Sequence, residues 1–145
     1  MWSRCWLAFP VFLLAAADLA AVADRPDKKK KTTPAQDELK KMEGSWTYVG
    51  SNANRVTIRR GTYTVNDPQG KVVLSAVMNL DPSKNPRWLT MRYTEGFYKG
   101  RTLLGIYELK GDTLRVSIDT TGKARPGAFP SGVYTSTLKR QKKTR

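Results

Sequence analysis

Apolar and polar residues alternate along most of the 145-residue chain after Gly44. A period of two is the pattern of β-strands that bury one face and expose the other. Turn-forming residues separate many of the alternating runs, among them Gly61, Lys110-Gly111-Asp112 and a Pro- and Gly-rich stretch at 122–132. The pattern predicts eight strands, at residues 45–51, 55–60, 62–66, 71–80, 87–93, 101–109, 113–119 and 133–140.

One face of these strands collects the large apolar residues, and the other face carries mostly Thr, Ser and Arg. Because most connections are short, neighbouring strands should pair antiparallel, and closure into a barrel leaves no unpaired edge. The predicted fold is therefore all-β, an eight-stranded antiparallel up-and-down barrel. The predicted inward residues are Trp46, Tyr48, Val56, Ile58, Tyr63, Val65, Leu74, Ala76, Met78, Leu89, Met91, Tyr93, Leu104, Ile106, Leu114, Val116, Ile118, Tyr134 and Leu138.

A short helix is predicted at residues 34–43, before the barrel domain of residues 44–145. Pro34 stands at its start, Leu39 and Met42 share one face, and Gly44 ends it. A single apolar stripe means that this helix packs against something larger. The strand at 101–109 is apolar on both faces, so we expect the helix to cover its outer face, formed by Leu103, Tyr107 and Leu109.

The N-terminal residues have the pattern of an export signal. Arg4 precedes an apolar run at 5–17, and Ala21-Val22-Ala23 precedes Asp24. This order predicts a signal peptide at 1–23, cleaved near Ala23, because the apolar run is well short of the ~20 residues that a spanning helix needs. The mature protein should be periplasmic, at the cell surface or secreted, with no transmembrane segment.

Residues 24–33 form a predicted disordered basic linker. The chain has 26 Lys and Arg against 12 Asp and Glu, a net charge of +14. This charge suits an anionic envelope polymer or another polyanion, although a solvated basic surface is the alternative. Export argues against nucleic acid as the partner. The candidate polyanion-binding residues are Lys28, Lys29, Lys30, Lys31, Arg59 and Arg60.

The residue inventory removes most catalytic chemistry. The chain has no histidine, and its one cysteine, Cys5, lies in the predicted signal peptide. Imidazole catalysis, a thiol nucleophile and histidine-bound metals are therefore excluded from the mature chain. No pair of carboxylates has a spacing that argues for shared acid-base work. We expect neither an enzyme nor a metal or cofactor site.

Several motifs carry a resemblance to a known family: Leu39-Lys40-Lys41-Met42-Glu43-Gly44-Ser45-Trp46, the stretches 81–88, 95–112 and 122–126, and a final Leu138-Lys139-Arg140. With these, the chain resembles the calycin superfamily, and within it a small lipocalin-like domain of uncharacterised function expanded in planctomycete bacteria. The resemblance implies a lipocalin-like barrel in which Trp46 packs at the closed end beneath Arg140.

The inward tyrosines and methionines are the candidate ligand site: Tyr48, Tyr63, Met78, Met91, Tyr93 and Tyr134. They could line a pocket for a small apolar or amphipathic ligand, or simply fill the core, because eight strands enclose little space. Gly105 is interpreted as a structural residue, at a bulge or a bend. The first hypothesis is thus an exported, monomeric, non-enzymatic ligand binder. The alternatives are a polyanion-binding envelope module and a proteinaceous enzyme inhibitor.

Overall fold

A computed structural model of the protein describes residues 31–130 and 134–142. The predicted signal peptide, most of the basic linker and Val133 lie outside this part. The described residues form one helix and eight strands: α1 (Pro34–Met42), β1 (Gly44–Tyr48), β2 (Ser51–Arg59), β3 (Thr62–Asn66), β4 (Val72–Asp81), β5 (Arg87–Glu95), β6 (Thr102–Lys110), β7 (Thr113–Asp119) and β8 (Tyr134–Arg140).

The strands close into a barrel in which each pairs antiparallel with the next and β8 returns to β1. The predicted lipocalin-like up-and-down barrel with a short N-terminal helix is confirmed. At the closing seam, Trp46 lies opposite Arg140 and Tyr48 opposite Leu138. Within the described residues, no helix is long and apolar enough to cross a membrane.

A two-residue turn joins β2 to β3 and sets which side chains enter the barrel. Arg60 has φ 48° and Gly61 φ 75°, and two successive positive φ values are typical of a type I′ turn, whose twist matches that of the flanking strands. The register places Ile58 opposite Tyr63. Residues paired across a sheet share a face, so Tyr63 points into the barrel with Ile58.

The inward and outward positions of β6 are the reverse of those predicted. Its register places Gly105 opposite Leu89, and Tyr107 opposite Val116, so the odd-numbered residues face the interior. Leu104 and Ile106 therefore point outward, and their predicted inward placement was wrong. Both faces of β6 are apolar, so the alternation of residue types does not show which face points inward. Only the pairing register with β5 and β7 determines this orientation.

The outer face of β6 is covered by residues 120–130 and not by the helix. Arg125 donates hydrogen bonds to the carbonyl oxygens of Leu89 and Gly105, and its guanidinium lies 4.6 Å from the centroid of the Trp88 ring. Ile106, opposite Trp88 in the register, is completely buried.

The helix instead closes one end of the barrel. Its residue Met42 is fully buried in the core, and Leu39 packs at Gly61 in the β2–β3 turn. The expected packing of α1 on the outside of β6 was therefore wrong. Only Glu43 separates Met42 from β1, so the helix cannot reach a strand wall far from the start of β1.

The two ends of the barrel consequently differ. The closed end carries the β2–β3, β4–β5 and β6–β7 connections together with α1, whose Leu39 packs at Gly61. At the open end lie the β1–β2, β3–β4, β5–β6 and β7–β8 connections, and none of the described helical residues covers them.

Candidate ligand cavity

The barrel interior contains a cavity of about 250 Å³. All six candidate ligand residues predicted from the sequence line it, so the inward tyrosines and methionines do not fill the core completely. The lining residues are Met42, Tyr48, Tyr63, Val65, Leu74, Met78, Leu89, Met91, Tyr93, Tyr98, Tyr107, Leu114, Val116, Ile118, Thr120, Tyr134 and Ser136.

The size of the cavity limits its occupant. Pockets for drug-sized molecules start near 300 Å³. The cavity therefore suits a small molecule and is too small for a lipid with two acyl chains.

The lining is apolar towards the closed end and more polar towards the open end. Met42 precedes β1 and Leu114 begins β7, so both lie deep at the closed end. Thr120, Tyr134 and Ser136 follow or begin strands at the open end. Tyr134 has 47% of its surface exposed, which places the mouth of the cavity beside its ring. A molecule entering here meets hydroxyl groups first and hydrocarbon afterwards.

Two phenol groups meet inside the barrel, where the hydroxyl oxygens of Tyr48 and Tyr63 lie 2.7 Å apart. Either can be the donor, and whichever accepts keeps its own hydrogen free for a further bond. Burial raises the pKa of Tyr48 to about 12, against a smaller opposing effect of its bond to Tyr63. Burial also raises the pKa of Tyr63 well above its usual range. Both phenols are therefore neutral at physiological pH.

A second aromatic group stands at the open half of the cavity. The Tyr93 hydroxyl donates to the Met91 sulfur at 3.7 Å, and the ring centroids of Tyr93 and Tyr98 are 5.3 Å apart. Burial raises the pKa of Tyr93 as well. Tyr98 lies in the β5–β6 connection and escaped prediction because loop residues have no face that periodicity can assign. Met42 and Tyr107 also line the cavity, although the sequence predicted Met42 in a helix stripe packed outside the barrel and Tyr107 on the outer face of β6.

The cavity wall carries no charge. None of the described lining residues is Asp, Glu, Lys or Arg, and the shifted tyrosines are neutral. A charged group without a partner is costly to bury. The wall therefore offers an ion no partner of opposite charge, whereas its phenols can exchange hydrogen bonds.

The floor of the cavity rests on a buried indole. Trp46 Nε1 donates to the carbonyl oxygen of Met42 at 2.9 Å, which ties the helix to β1. The Arg140 guanidinium lies 4.2 Å from the centroid of the Trp46 ring and donates to the carbonyl oxygens of Lys41 and Glu43. The contact between Trp46 and Arg140 that the family resemblance implies is thus present.

A charged cluster supports the helix from behind the floor. The Glu38 carboxylate pairs with Arg87 at 2.9 Å and with Lys41 at 3.0 Å, and the Tyr107 hydroxyl lies 3.5 Å from the same carboxylate. Burial, with the nearby Glu38 charge as a second cause, raises the pKa of Tyr107 to about 12. These contacts hold α1 across the barrel end and keep the cavity closed there.

Gly105 is required by a close approach and not by a bulge. The register of β6 passes through it without a shift on either side. An added Cβ would lie 2.7 Å from the carbonyl oxygen of Ser117 on β7, closer than real Cβ contacts. Its own carbonyl oxygen accepts from Arg125. The sequence predicted a bulge or a bend at Gly105, and no bulge is present there.

The three candidate polyanion-binding residues that the structure describes lie apart from the cavity mouth. Arg59 and Arg60 are exposed beside the β2–β3 turn at the closed end, and Lys31 is exposed before α1. Lys28, Lys29 and Lys30 lie outside the described residues. Lys31, Arg59 and Arg60 therefore do not share a site with the tyrosines of the cavity.

Within the described residues, no group of three or more His, Cys, Asp or Glu side chains is placed to hold a metal ion. Comparison with protein-family models, with curated proteins and with solved structures found no match.

Proposed function

We propose that the protein is an exported, non-enzymatic, lipocalin-like binding protein that holds a small neutral amphipathic molecule inside its barrel. The observation that carries the proposal is the uncharged cavity of about 250 Å³ with a phenol pair at its side. The motif resemblance to the calycin superfamily supports the same function.

The bound molecule would enter with its apolar part first. Leu114 and Met42 offer hydrocarbon at the deep end, whereas the Tyr48–Tyr63 phenol pair and the Ser136 hydroxyl offer polar contacts nearer the mouth. An alcohol or another uncharged polar head satisfies these groups without a buried charge. A carboxylate of the same length finds no cation on the cavity wall.

The primary experiment is native mass spectrometry of the protein purified from its own host. We expect a complex whose excess mass corresponds to a small neutral molecule, released on denaturation. A protein that carries no such molecule and also fails to bind the probes described next would contradict the proposal.

Octanol and octanoate form a matched pair of probes, since they differ mainly in the charge of the head group. Isothermal titration at neutral pH should show binding of octanol and at least tenfold weaker binding of octanoate, because the carboxylate loses its hydration without gaining a partner. Equal affinities would show that the neutral cavity does not select the head group.

A variant that fills the cavity tests the location. Ser136→Leu places a larger apolar side chain inside the barrel, so octanol binding should fall at least tenfold. Thr137→Leu is the control, because Thr137 is next in the same strand and has the opposite orientation. Loss of octanol binding in both variants would point to a general disturbance of β8 instead.

A second candidate function is binding of an anionic envelope polymer. Lys31, Arg59 and Arg60 are exposed, and among the described residues none of them takes part in an ion pair. Retention on heparin should weaken steeply with salt and should fall when Arg59 and Arg60 are replaced by Ser. Unchanged retention of that variant would exclude these arginines as the binding surface.

A further inference from the structure

Exposed apolar side chains gather at the open end of the barrel. Phe97 in the β5–β6 connection is 90% exposed, and Val49 in the β1–β2 connection is 57% exposed. Val72, Val73 and Tyr134, at the adjoining strand ends, are exposed as well. We call these five residues the rim. Of the large apolar side chains that are exposed in the described residues, only Val77 and Trp88 lie elsewhere, on the barrel wall.

The exposure of Phe97 follows from an ordered loop. Gly100 N donates to the Tyr93 carbonyl oxygen at 2.9 Å, and Arg101 N to that of Tyr98 at 2.9 Å. Gly96 has φ 89° and packs so tightly on β4 that a Cβ would lie 2.5 Å from the Val73 carbonyl oxygen. The loop is therefore anchored at its base and holds the Phe97 ring outward in water.

Three exposed lysines accompany the rim: Lys71, Lys99 and Lys123. Among the described residues none of them forms an ion pair. Two carboxylates at this end are turned into their own loops instead. Asp67 accepts from the backbone N–H of Lys71 at 2.8 Å, and Asp119 accepts from the backbone N–H groups of Lys123 and Ala124 at 3.0 Å and 2.8 Å.

The remaining carboxylate at this end is Glu95, which is exposed at the end of β5. The surface that the open end presents is thus a set of apolar tips with free ammonium groups beside them. Apolar and aromatic side chains favour the headgroup and acyl boundary of a bilayer, and each basic group near an anionic surface adds attraction.

We propose that the rim is a docking surface for a bilayer that contains anionic phospholipid. Phe97 and Val49 enter the boundary between headgroups and acyl chains, and Lys71, Lys99 and Lys123 lie against phosphates. The net charge of +14 favours approach to such a surface. Docking goes beyond ligand binding and requires only the rim, although it would place the cavity mouth against the bilayer.

Flotation with vesicles tests the proposal, using the full protein prepared identically for every variant so that its N-terminal residues contribute equally. We expect binding to vesicles of equal parts phosphatidylglycerol and phosphatidylcholine, and much weaker binding to phosphatidylcholine alone. Phe97→Ser should weaken partitioning about tenfold, because an inserted aromatic ring is lost. Lys99→Gln should weaken it about fivefold.

Two valines supply a matched control. Val49→Thr removes apolar character at the rim and should weaken partitioning about threefold, whereas Val77→Thr makes the same change at a wall residue that is 39% exposed and should have no effect. Circular dichroism of each variant checks that the fold is retained.

A second readout reports insertion directly. Phe97→Trp adds a fluorescent indole at the rim. Brominated phosphatidylcholine in the mixed vesicles should quench the tryptophan fluorescence of this variant more strongly than that of the unmodified protein. Four results would each overturn the proposal: no vesicle binding, equal binding to both vesicle types, unchanged binding of Phe97→Ser, or absence of extra quenching. Absence of vesicle binding would leave the rim to a protein partner.

Discussion

At the residue scale, the hydrogen bond between Tyr48 and Tyr63 joins β1 to β3 through the barrel interior. Tyr63 is buried, whereas Tyr48 is only partly buried and borders the cavity. We predict that Tyr48→Phe lowers the free energy of unfolding by about 1–3 kcal/mol, because it leaves the Tyr63 hydroxyl buried without this partner. Tyr63→Phe should cost less, since the Tyr48 hydroxyl can turn to water in the cavity.

Urea unfolding of the two single variants and the double variant measures this difference. The double variant should be close in stability to Tyr63→Phe, because no hydroxyl of the pair then remains unsatisfied. A greater loss of unfolding free energy in Tyr63→Phe than in Tyr48→Phe would contradict the inference that the buried Tyr63 hydroxyl relies on Tyr48 for its hydrogen bond. Octanol binding by the double variant would show how much the pair contributes to ligand recognition.

Gly105 allows a second test at this scale. Gly105→Ala forces a Cβ to within 2.7 Å of a backbone oxygen, which cannot move without shifting β7. We predict a loss of about 1–3 kcal/mol in unfolding free energy. Gly127→Ala is the control, because no atom lies within 4 Å of its added Cβ, and it should change stability by less than about 0.5 kcal/mol. Equal stabilities would contradict the close-contact role of Gly105.

At the element scale, most of the fold could be predicted because most strands have one apolar and one polar face. Met91, for example, lies between the polar residues Thr90 and Arg92, and it faces the barrel interior as predicted. β6 has apolar residues on both faces, so the sequence alone does not show which of them point inward. Their orientation follows from the pairing of β6 with β5 and β7. Periodicity likewise could not place Tyr98, which reaches the cavity from a connection.

The helix shows a different limit. The spacing of Leu39 and Met42 predicts its apolar stripe correctly, but a stripe does not identify its partner. The chain length between α1 and β1 does, because Glu43 alone joins them. Residues 120–130 cover β6 through the Arg125 contacts with backbone carbonyl oxygens, for which no sequence pattern exists.

The attachment of α1 can be tested through Arg140. Arg140→Lys keeps the charge but loses the planar contact with Trp46 and the two-pronged bonds to the Lys41 and Glu43 carbonyl oxygens. We predict a loss of about 1–3 kcal/mol in unfolding free energy. Amide hydrogen exchange should speed up most in α1.

The control for this test is Lys139→Gln, a substitution of an exposed neighbour in β8. It should change the free energy of unfolding by less than about 0.5 kcal/mol and should leave amide exchange in α1 unchanged. A result in which Arg140→Lys matches this control would mean that Arg140 does not secure the helix. Faster exchange across the whole barrel, with none specific to α1, would have the same meaning.

At the scale of the whole molecule, polar groups lie on both sides of the barrel wall, but no charged side chain of the described residues lines the cavity. The ion pairs of Glu38 lie behind the cavity floor, and basic side chains such as Arg59 and Lys99 lie on the outer surface. The cavity wall contains phenols in place of charged groups. Its neutrality is therefore a property of the protonated tyrosines, and alkaline pH should remove it.

The pH dependence has a defined sign. Burial raises the pKa of Tyr48 and of Tyr107 to about 12, above the value of about 10 in an unfolded chain. A pKa raised in the folded state gives stability that is fully present below about pH 10 and is lost as the pH rises through about 12. Tyr63 and Tyr93, also shifted upward, add losses of the same sign.

We therefore predict that the free energy of unfolding falls steeply between pH 10 and 12, together with octanol affinity, as tyrosinate absorbance rises. Tyr107→Phe separates this effect from the loss of lysine charge, which is common to both proteins. Because one raised phenol is missing, the variant should lose less stability than the unmodified protein over the same interval. Parallel pH profiles for the two proteins would show that the buried phenol of Tyr107 does not contribute, and that deprotonation elsewhere controls alkaline unfolding.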